Sequence, residues 1–229
     1  MVGTLVNASA IIVGSSVGMI FRKKLPKKYE VVYFQVVGLF TLLLGIQMAL
    51  GLSFPLLVLF SLILGGFIGV KIKLEEKINR LGDVIKAKMK NENERFTEGL
   101  TTAFLLFCMG SMTIVGAIEE GFGTTSDLLL TKSILDFFSS IMLASGLGAG
   151  VLFSFIPLLI FQGGITLFVS MIGKDIPHEI ISEITAVGGI ILMGLSLGLL
   201  QIKDLKVINF LPSLLLICLL VWLKLVLKI

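Results

Sequence analysis

A lysine and an aspartate stand four residues apart inside an apolar stretch, at Lys132 and Asp136. Residues i and i+4 of a helix share a face, so the two side chains can form an ion pair. Asp136 lies about nine residues into a predicted helix, residues 128–147, and therefore near mid-membrane at ~1.5 Å per residue. An ionisable residue at that depth is costly and indicates an ion or solute pathway. The alternative is that Lys132 reaches the outer interface while Asp136 makes a structural contact.

A second group of polar residues interrupts another apolar run, at Ser111 and Thr113. Residues 108–121 read Cys-Met-Gly-Ser-Met-Thr-Ile-Val-Gly-Ala-Ile-Glu-Glu-Gly. Small and hydroxylated residues at membrane depth permit a local helix break whose freed carbonyl groups coordinate an ion. Tight helix packing through the small residues is an alternative that the sequence leaves open.

Two amides complete the set of candidate residues. Gln162 precedes a pair of glycines that allows its helix to bend, and Asn7 stands among serines and glycines in the first apolar stretch. Either amide can bind a solute or a neighbouring helix. Glu183 is a weaker candidate, because we expect it near a helix end where water reaches it. The predicted substrate or ion site comprises Asn7, Ser111, Thr113, Lys132, Asp136 and Gln162.

These polar residues do not form a catalytic constellation. The sequence has no His-Glu-x-x-His zinc motif and no paired carboxylates at mid-membrane depth, and its single histidine, His178, falls in a loop. The two cysteines lie in separate apolar segments and indicate neither a disulfide nor a metal cluster. We therefore expect a protein that is not an enzyme and needs no cofactor.

The elements that must position the candidate residues are membrane-spanning helices. The 229 residues are 56% hydrophobic and 15% charged, which is far more apolar than a soluble domain. A spanning helix needs about 20 apolar residues. Apolar windows predict an all-α bundle of eight spans in a single transmembrane domain, residues 1–229. The predicted spans are residues 2–21, 31–51, 54–70, 99–118, 128–147, 151–172, 180–200 and 210–227.

Basic residues indicate the orientation of these spans. The loops after the first, third and seventh spans hold 15 of the 19 lysines and arginines. With eight spans these loops share one side, which the positive-inside rule assigns to the cytoplasm, leaving both termini outside. The net charge of +4 therefore reflects topology and does not indicate nucleic-acid binding.

The longest polar segment, residues 71–98, has apolar residues at helical spacing. They predict an amphipathic helix on the cytoplasmic membrane surface. A solvated connecting helix with one apolar stripe is the alternative. The apolar positions are Leu74, Ile78, Leu81 and Ile85.

Two parts of the chain resemble each other at an offset of 151 residues. Residues 24–26 align with residues 175–177, and residues 37–40 align with residues 188–191. Spans 1–3 then match spans 6–8 in the opposite orientation and flank spans 4 and 5, an arrangement typical of transporters. Chance similarity between apolar helices is the alternative.

Several motifs spread over the whole chain also carry a family resemblance. They are Gly3-Thr4, Asn7, residues 106–121, residues 132–136, Gln162-Gly163 and Leu211-Pro212. In these motifs the sequence resembles the YdfK/YqgA-like family of bacterial polytopic membrane proteins. The resemblance implies a bacterial inner-membrane protein and implies no activity or substrate.

Two functional hypotheses follow. The first is a transporter or channel-like permease for a small ion or solute, with a site near the bilayer midplane. The second is a non-transporting scaffold or regulatory protein that acts through the cytoplasmic segment 71–98. The expected partners are the lipid bilayer and the small ion or solute, and the sequence is compatible with a homo-oligomer.

Overall fold

The computed structural model describes residues 1–22, 27–88, 95–108, 111–123, 127–172 and 177–227. These ranges contain α-helices and one 3₁₀ turn, η1, and no strand. The elements are α1 (Val2–Arg22), α2 (Lys27–Ala49), α3 (Pro55–Lys71), α4 (Leu74–Lys88), α5 (Phe96–Cys108), α6 (Ser111–Gly121), α7 (Asp127–Leu147), α8 (Ala149–Phe153), α9 (Phe155–Ile172), α10 (His178–Leu199), η1 (Val207–Phe210) and α11 (Pro212–Leu227).

Each predicted span has a counterpart among these elements. The first, second, third, fifth and seventh spans correspond to α1, α2, α3, α7 and α10, while the fourth forms α5 and α6, the sixth α8 and α9, and the eighth η1 and α11. Within the described ranges, five helical stretches are long and apolar enough to cross a membrane, or seven if each of two bent helix pairs forms one span. The all-α transmembrane class is therefore confirmed, and the count of eight stays a prediction.

The fourth predicted span is bent. α5 ends at Cys108, α6 begins at Ser111, and the two helices are inclined by 63°. The buried hydroxyl of Thr113 donates to the carbonyl oxygen of Phe107 at 2.7 Å, which satisfies one of the carbonyl groups that α5 leaves free at its end. The helix is thus interrupted in this run, and coordination of an ion by the break stays a prediction.

The described residues divide into two compact units. Unit 1 consists of Met1–Tyr33 and Arg80–Lys174, and unit 2 of Phe34–Asn79 and Asp175–Ile229. Spans 1 and 6 of the predicted repeat fall in unit 1, and spans 2, 3, 7 and 8 fall almost entirely in unit 2. The inverted relation between the two sets of spans stays a prediction.

In unit 1, glycines bring α1 into backbone contact with α7. A Cβ atom on Gly14 would overlap with the hydroxyl of Ser140 and the carbonyl oxygen of Phe137, and one on Gly18 would overlap with the carbonyl oxygen of Ile141. Residues four apart share a helix face, so these glycines form one contact strip along α1. This contact fixes the polar residues of α1 against α7.

In unit 2, small residues also permit close helix packing. A Cβ atom on Gly45 of α2 would lie 2.7 Å from the carbonyl oxygen of Gly189 in α10, and one on Gly65 of α3 would overlap with Ser213 of α11. Such contacts between small residues are typical of helices that associate in a membrane, where burial of apolar surface cannot drive association.

The polar segment 71–98 is helical over α4, and α3 extends through its first residue, Lys71. Asn209 of η1 holds the start of α4, because its amide nitrogen donates to Glu75 at 3.1 Å and its oxygen accepts from the Glu75 backbone N–H at 3.3 Å. Leu74 and Ile78 are half-buried, whereas the side chains of the other two predicted apolar positions and residues 89–94 lie outside the described part.

Candidate functional site

Two enclosed charges of unit 1 belong to Lys132 and Asp136, which pair through a hydrogen bond between Lys132 Nζ and Asp136 Oδ2. Lys132 is only 5% exposed and Asp136 only 6%. The i, i+4 spacing in α7 explains the pairing, as the sequence indicated. The alternative in which Lys132 reaches the outer interface is wrong, because its side chain is enclosed beside Asp136.

The ion pair continues into two buried amides from other helices. Asn7 of α1 lies close enough to Asp136 to interact with its carboxylate, and its Nδ2 donates to Gln162 Oε1 of α9 at 3.2 Å. Both amides are fully enclosed. Three helices thus contribute side chains to one polar cluster.

Beyond Gln162 the cluster reaches a second carboxylate, Glu120 of α6. Gln162 Nε2 donates to Thr4 Oγ1 at 3.0 Å, and Thr4 Oγ1 donates to Glu120 Oε2 at 2.6 Å. Thr166 Oγ1 donates to the same carboxylate oxygen at 3.3 Å. The connected side chains, here called the polar network, therefore join two buried carboxylates through amides and hydroxyls. Its members are Thr4, Asn7, Glu120, Lys132, Asp136, Gln162 and Thr166.

Glu120 also caps the first helix. Its Oε1 accepts the backbone N–H of Gly3 at 2.6 Å, at the end of α1 where N–H groups have no partner within the helix. A carboxylate is favourable there because the helix dipole is positive at that end. Glu120 thus fixes the start of α1 and, through Thr4, the end of the polar network.

Three members of the polar network were missed from the sequence: Thr4, Glu120 and Thr166. Glu120 lies just beyond the predicted fourth span, residues 99–118, yet it is only 8% exposed. A signal was available, because Thr166 follows Gln162 by four residues and Thr4 precedes Asn7 by three. Each hydroxyl therefore shares a helix face with a predicted amide.

Of the six predicted site residues, hydrogen bonds join Lys132 to Asp136 and Asn7 to Gln162, and Asn7 lies near Asp136. Thr113 is buried but donates to Phe107. The ring centroid of Phe107 lies 5.8 Å from Lys132 Nζ, so the end of α5 is beside the ion pair. Ser111 begins α6, and its side chain lies outside the described part of the structure.

One oxygen of the polar network has no hydrogen-bond partner among the residues that the structure describes. It is Asn7 Oδ1, which is fully buried. An unsatisfied buried acceptor costs roughly 1–3 kcal/mol, and a donor or a cation removes that cost. The described residues contain no group of three or more His, Cys, Asp or Glu side chains that could hold a metal ion.

Unit 2 has a buried carboxylate of its own, Glu183 of α10. Its Oε1 accepts the backbone N–H groups of Ser53 and Phe54, just before the start of α3. The expectation that water reaches Glu183 is wrong, because the side chain is 0% exposed. The close approach of the α3 start encloses it, and its Oε2 has no hydrogen-bond partner in the described part of the chain.

The apolar helices and the polar network define an α-helical membrane protein with charged and amide side chains in its interior. Residues 2–222 match the family described as protein of unknown function, DUF554, and the chain belongs to this family.

Two relatives show how far the similarity extends. The uncharacterized membrane protein YdfK of Bacillus subtilis (strain 168) is 38% identical over 219 residues, which cover 94% of this chain and 93% of the relative. The uncharacterized protein YqgA of Escherichia coli (strain K12) is 33% identical over 224 residues, which cover 94% of each. No solved structure matches the chain significantly. The predicted family is confirmed, and its members supply no activity.

Proposed function

We propose that this protein is a transporter or channel-like permease that moves a small ion or solute across the membrane through a site in unit 1. One observation carries the proposal, the buried Lys132–Asp136 ion pair and its continuation into the polar network. Charged side chains within spans are expensive and mark ion and substrate pathways. A buried ion pair is also weak evidence for stability, since apolar residues of similar size often serve as well.

The bent pair α5 and α6 supports the same interpretation. Interrupted helices are typical of transporter sites, because free backbone groups at the break face the transported ion. The end of α5 lies beside Lys132, as the position of the Phe107 ring shows. A charged pair, enclosed amides and a helix end thus meet in one part of unit 1.

We expect Asp136→Asn to abolish most transport. The protein would be reconstituted into liposomes that contain a pH-sensitive dye and tested with radioactive Na⁺, Rb⁺, Cl⁻ and phosphate. The variant keeps the shape of the side chain but removes its charge. We expect a fall of at least about tenfold in the rate of whichever solute the wild type moves, which corresponds to ~1.4 kcal/mol.

The matched control is Asp127→Asn, which removes a carboxylate from the exposed first residue of the same helix. It should transport at the wild-type rate. Equal rates for wild type and Asp136→Asn would exclude Asp136 from the pathway. A wild-type protein that moves no member of the panel and causes no proton flux would contradict the transport proposal.

We also propose a multi-pass protein of the bacterial inner membrane with both termini outside the cytoplasm. The concentration of lysine and arginine in alternate loops supports this orientation. We expect alkaline phosphatase fused after Ile229 to be active and green fluorescent protein at the same position to be dark, because each reports one side of the membrane. A fluorescent fusion without phosphatase activity would contradict the proposed orientation or the even number of spans.

The scaffold hypothesis receives less support from the geometry. The start of α4 is held by Asn209 of the protein itself, through two hydrogen bonds to Glu75. That contact accounts for the first polar residues of segment 71–98 without a second protein. The flux measurement separates the two functions, because a scaffold moves no solute.

A further inference from the structure

We propose that a small monovalent cation, Na⁺ or H⁺, binds to the carboxylate of Asp136 and the side-chain oxygen of Asn7, where it replaces the ammonium group of Lys132. This inference rests on the proposed function, since it names the class of ion that the transport site takes. Its physical basis is the combination of an internal cation, an unpartnered oxygen and a helix end in one enclosed place.

The first step concerns charge. Asp136 requires one positive charge in its buried position, and Lys132 supplies it in the structure. A monovalent cation supplies the same single charge, so exchange of the two leaves the carboxylate neutralised. Because the displaced ammonium group stays in this region, a monovalent cation adds one positive charge there and a divalent cation adds two, and buried charge is costly. The ion pair therefore selects for monovalent cations.

The second step concerns the displaced ammonium group. Lys132 Nζ is already 5.8 Å from the centroid of the Phe107 ring, within the range at which an aromatic face attracts a cation. The flexible four-carbon stem of lysine lets the group move. Lys132 can thus leave Asp136 and keep a favourable partner on α5.

The third step concerns the ligands. Asn7 Oδ1 is enclosed and has no hydrogen-bond partner among the described residues, and its side chain lies near the Asp136 carboxylate. Carboxylate and amide oxygens are the hard ligands that Na⁺ prefers. If the cation is a proton, it converts Asp136 to a carboxylic acid whose O–H can donate to Asn7 Oδ1. Either ion provides a partner for Asn7 Oδ1.

The surroundings of Asp136 favour a cation as well. Cys108, the last residue of α5, lies within electrostatic range of both Lys132 and Asp136, so the negative end of the α5 dipole points to the site. The neighbouring titratable groups are Lys132 on α7, Cys108 on α5 and Glu120 on α6. Glu120 belongs to the polar network, and the N-terminal ammonium group of Met1 lies 3.3 Å from its Oε1. The sequence places no charged residue in α8 or α9. In α1 the charged residue is Arg22, at its last position.

The test is equilibrium binding of radioactive Na⁺ to the full-length protein in lipid nanodiscs. We expect saturable binding by the wild type. Lys132→Met should bind Na⁺ at least about tenfold more tightly, because the competing ammonium is gone, a difference of ~1.4 kcal/mol. Asp136→Asn should lose saturable binding. Asp127→Asn is the control and should bind as the wild type does.

The proton is examined on the same samples by infrared spectroscopy. If H⁺ is the cation, acidification should produce the C=O band of a protonated carboxylic acid that Asp136→Asn lacks. The midpoint of that band should move to higher pH by at least about one unit in Lys132→Met, because loss of a nearby positive charge favours the protonated acid. A response of either kind supports the proposal.

The double variant Lys132→Met/Asp136→Asn is the control for misfolding, because it leaves neither buried charge without its partner. It should fold, and it should give neither the Na⁺-binding signal nor the carboxyl band. The proposal is overturned if Lys132→Met alters neither Na⁺ affinity nor the carboxyl band, or if saturable Na⁺ binding persists in Asp136→Asn. Transport of another solute without either signal would overturn this inference and leave the proposed function standing. Cation binding without flux would support this inference and contradict the proposed function.

Discussion

Lys132→Met is expected to lower the free energy of unfolding by about 3–5 kcal/mol, the usual effect of removing one partner from a buried ion pair. The carboxylate of Asp136 then remains enclosed, at 6% exposure, without the charge that neutralised it. Methionine has nearly the length of lysine, so the loss of packing is small and the electrostatic change dominates. The measurement is an unfolding titration with sodium dodecyl sulfate in mixed lipid micelles.

Two further variants isolate the electrostatic origin of this loss. Lys132→Met/Asp136→Leu removes both charges and should recover most of the stability, because apolar residues of similar size commonly replace a buried ion pair without loss. Lys77→Met removes an exposed lysine from α4 and should change stability by less than about 0.5 kcal/mol. A Lys132→Met protein as stable as the wild type would show that the ion pair is not buried as described.

Gly14→Ala is expected to have the second large effect, a loss of about 1–3 kcal/mol of stability together with loss of transport. The added methyl group overlaps with the carbonyl oxygen of Phe137, a backbone atom that cannot rotate away, and with Ser140. α1 must therefore move away from α7. Because Asn7 lies two turns earlier on α1, the movement also separates it from Asp136.

The control for this prediction is Gly164→Ala in α9, where a Cβ atom would meet no other atom within 4 Å. Alanine favours a helix over glycine by roughly 0.5–1 kcal/mol, so this variant should be as stable as the wild type or slightly more stable. Both variants are compared by the same unfolding titration and the same flux assay. If Gly14→Ala behaves as Gly164→Ala does, the backbone contact between α1 and α7 does not exist.

Local helix geometry determines the parts of the site that could be predicted from the sequence. Lys132 and Asp136 follow from the 3.6-residue period of one helix, which needs no knowledge of the fold. The helix boundaries follow from hydropathy in the same way, and eight predicted spans therefore coincide with described helices. Asn7 and Gln162 were recognised as polar groups at membrane depth, but their contact joins residues 155 apart.

The parts that were missed depend on tertiary geometry. Glu120 looked like a loop residue because it follows Glu119 at the end of an apolar run, and a hydropathy average does not register a bend of 63° between α5 and α6. With that bend, α6 presents Glu120 to the start of α1. Glu183 was misjudged for a related reason, since only the folded chain shows that the start of α3 covers it.

The placement of both ion-pair partners on α7 has a consequence for biogenesis. A lone aspartate or lysine at the centre of an inserting segment opposes insertion by about 2.5–3.5 kcal/mol. Since Lys132 and Asp136 can pair within one turn, residues 128–147 of α7 can leave the translocon as an electrically neutral segment without a partner from another helix. Glu120 differs, because its hydrogen-bond donors belong to α1 and α9. Its burial therefore has to await the synthesis of α9, which makes closure of the polar network a late event in the maturation of the protein.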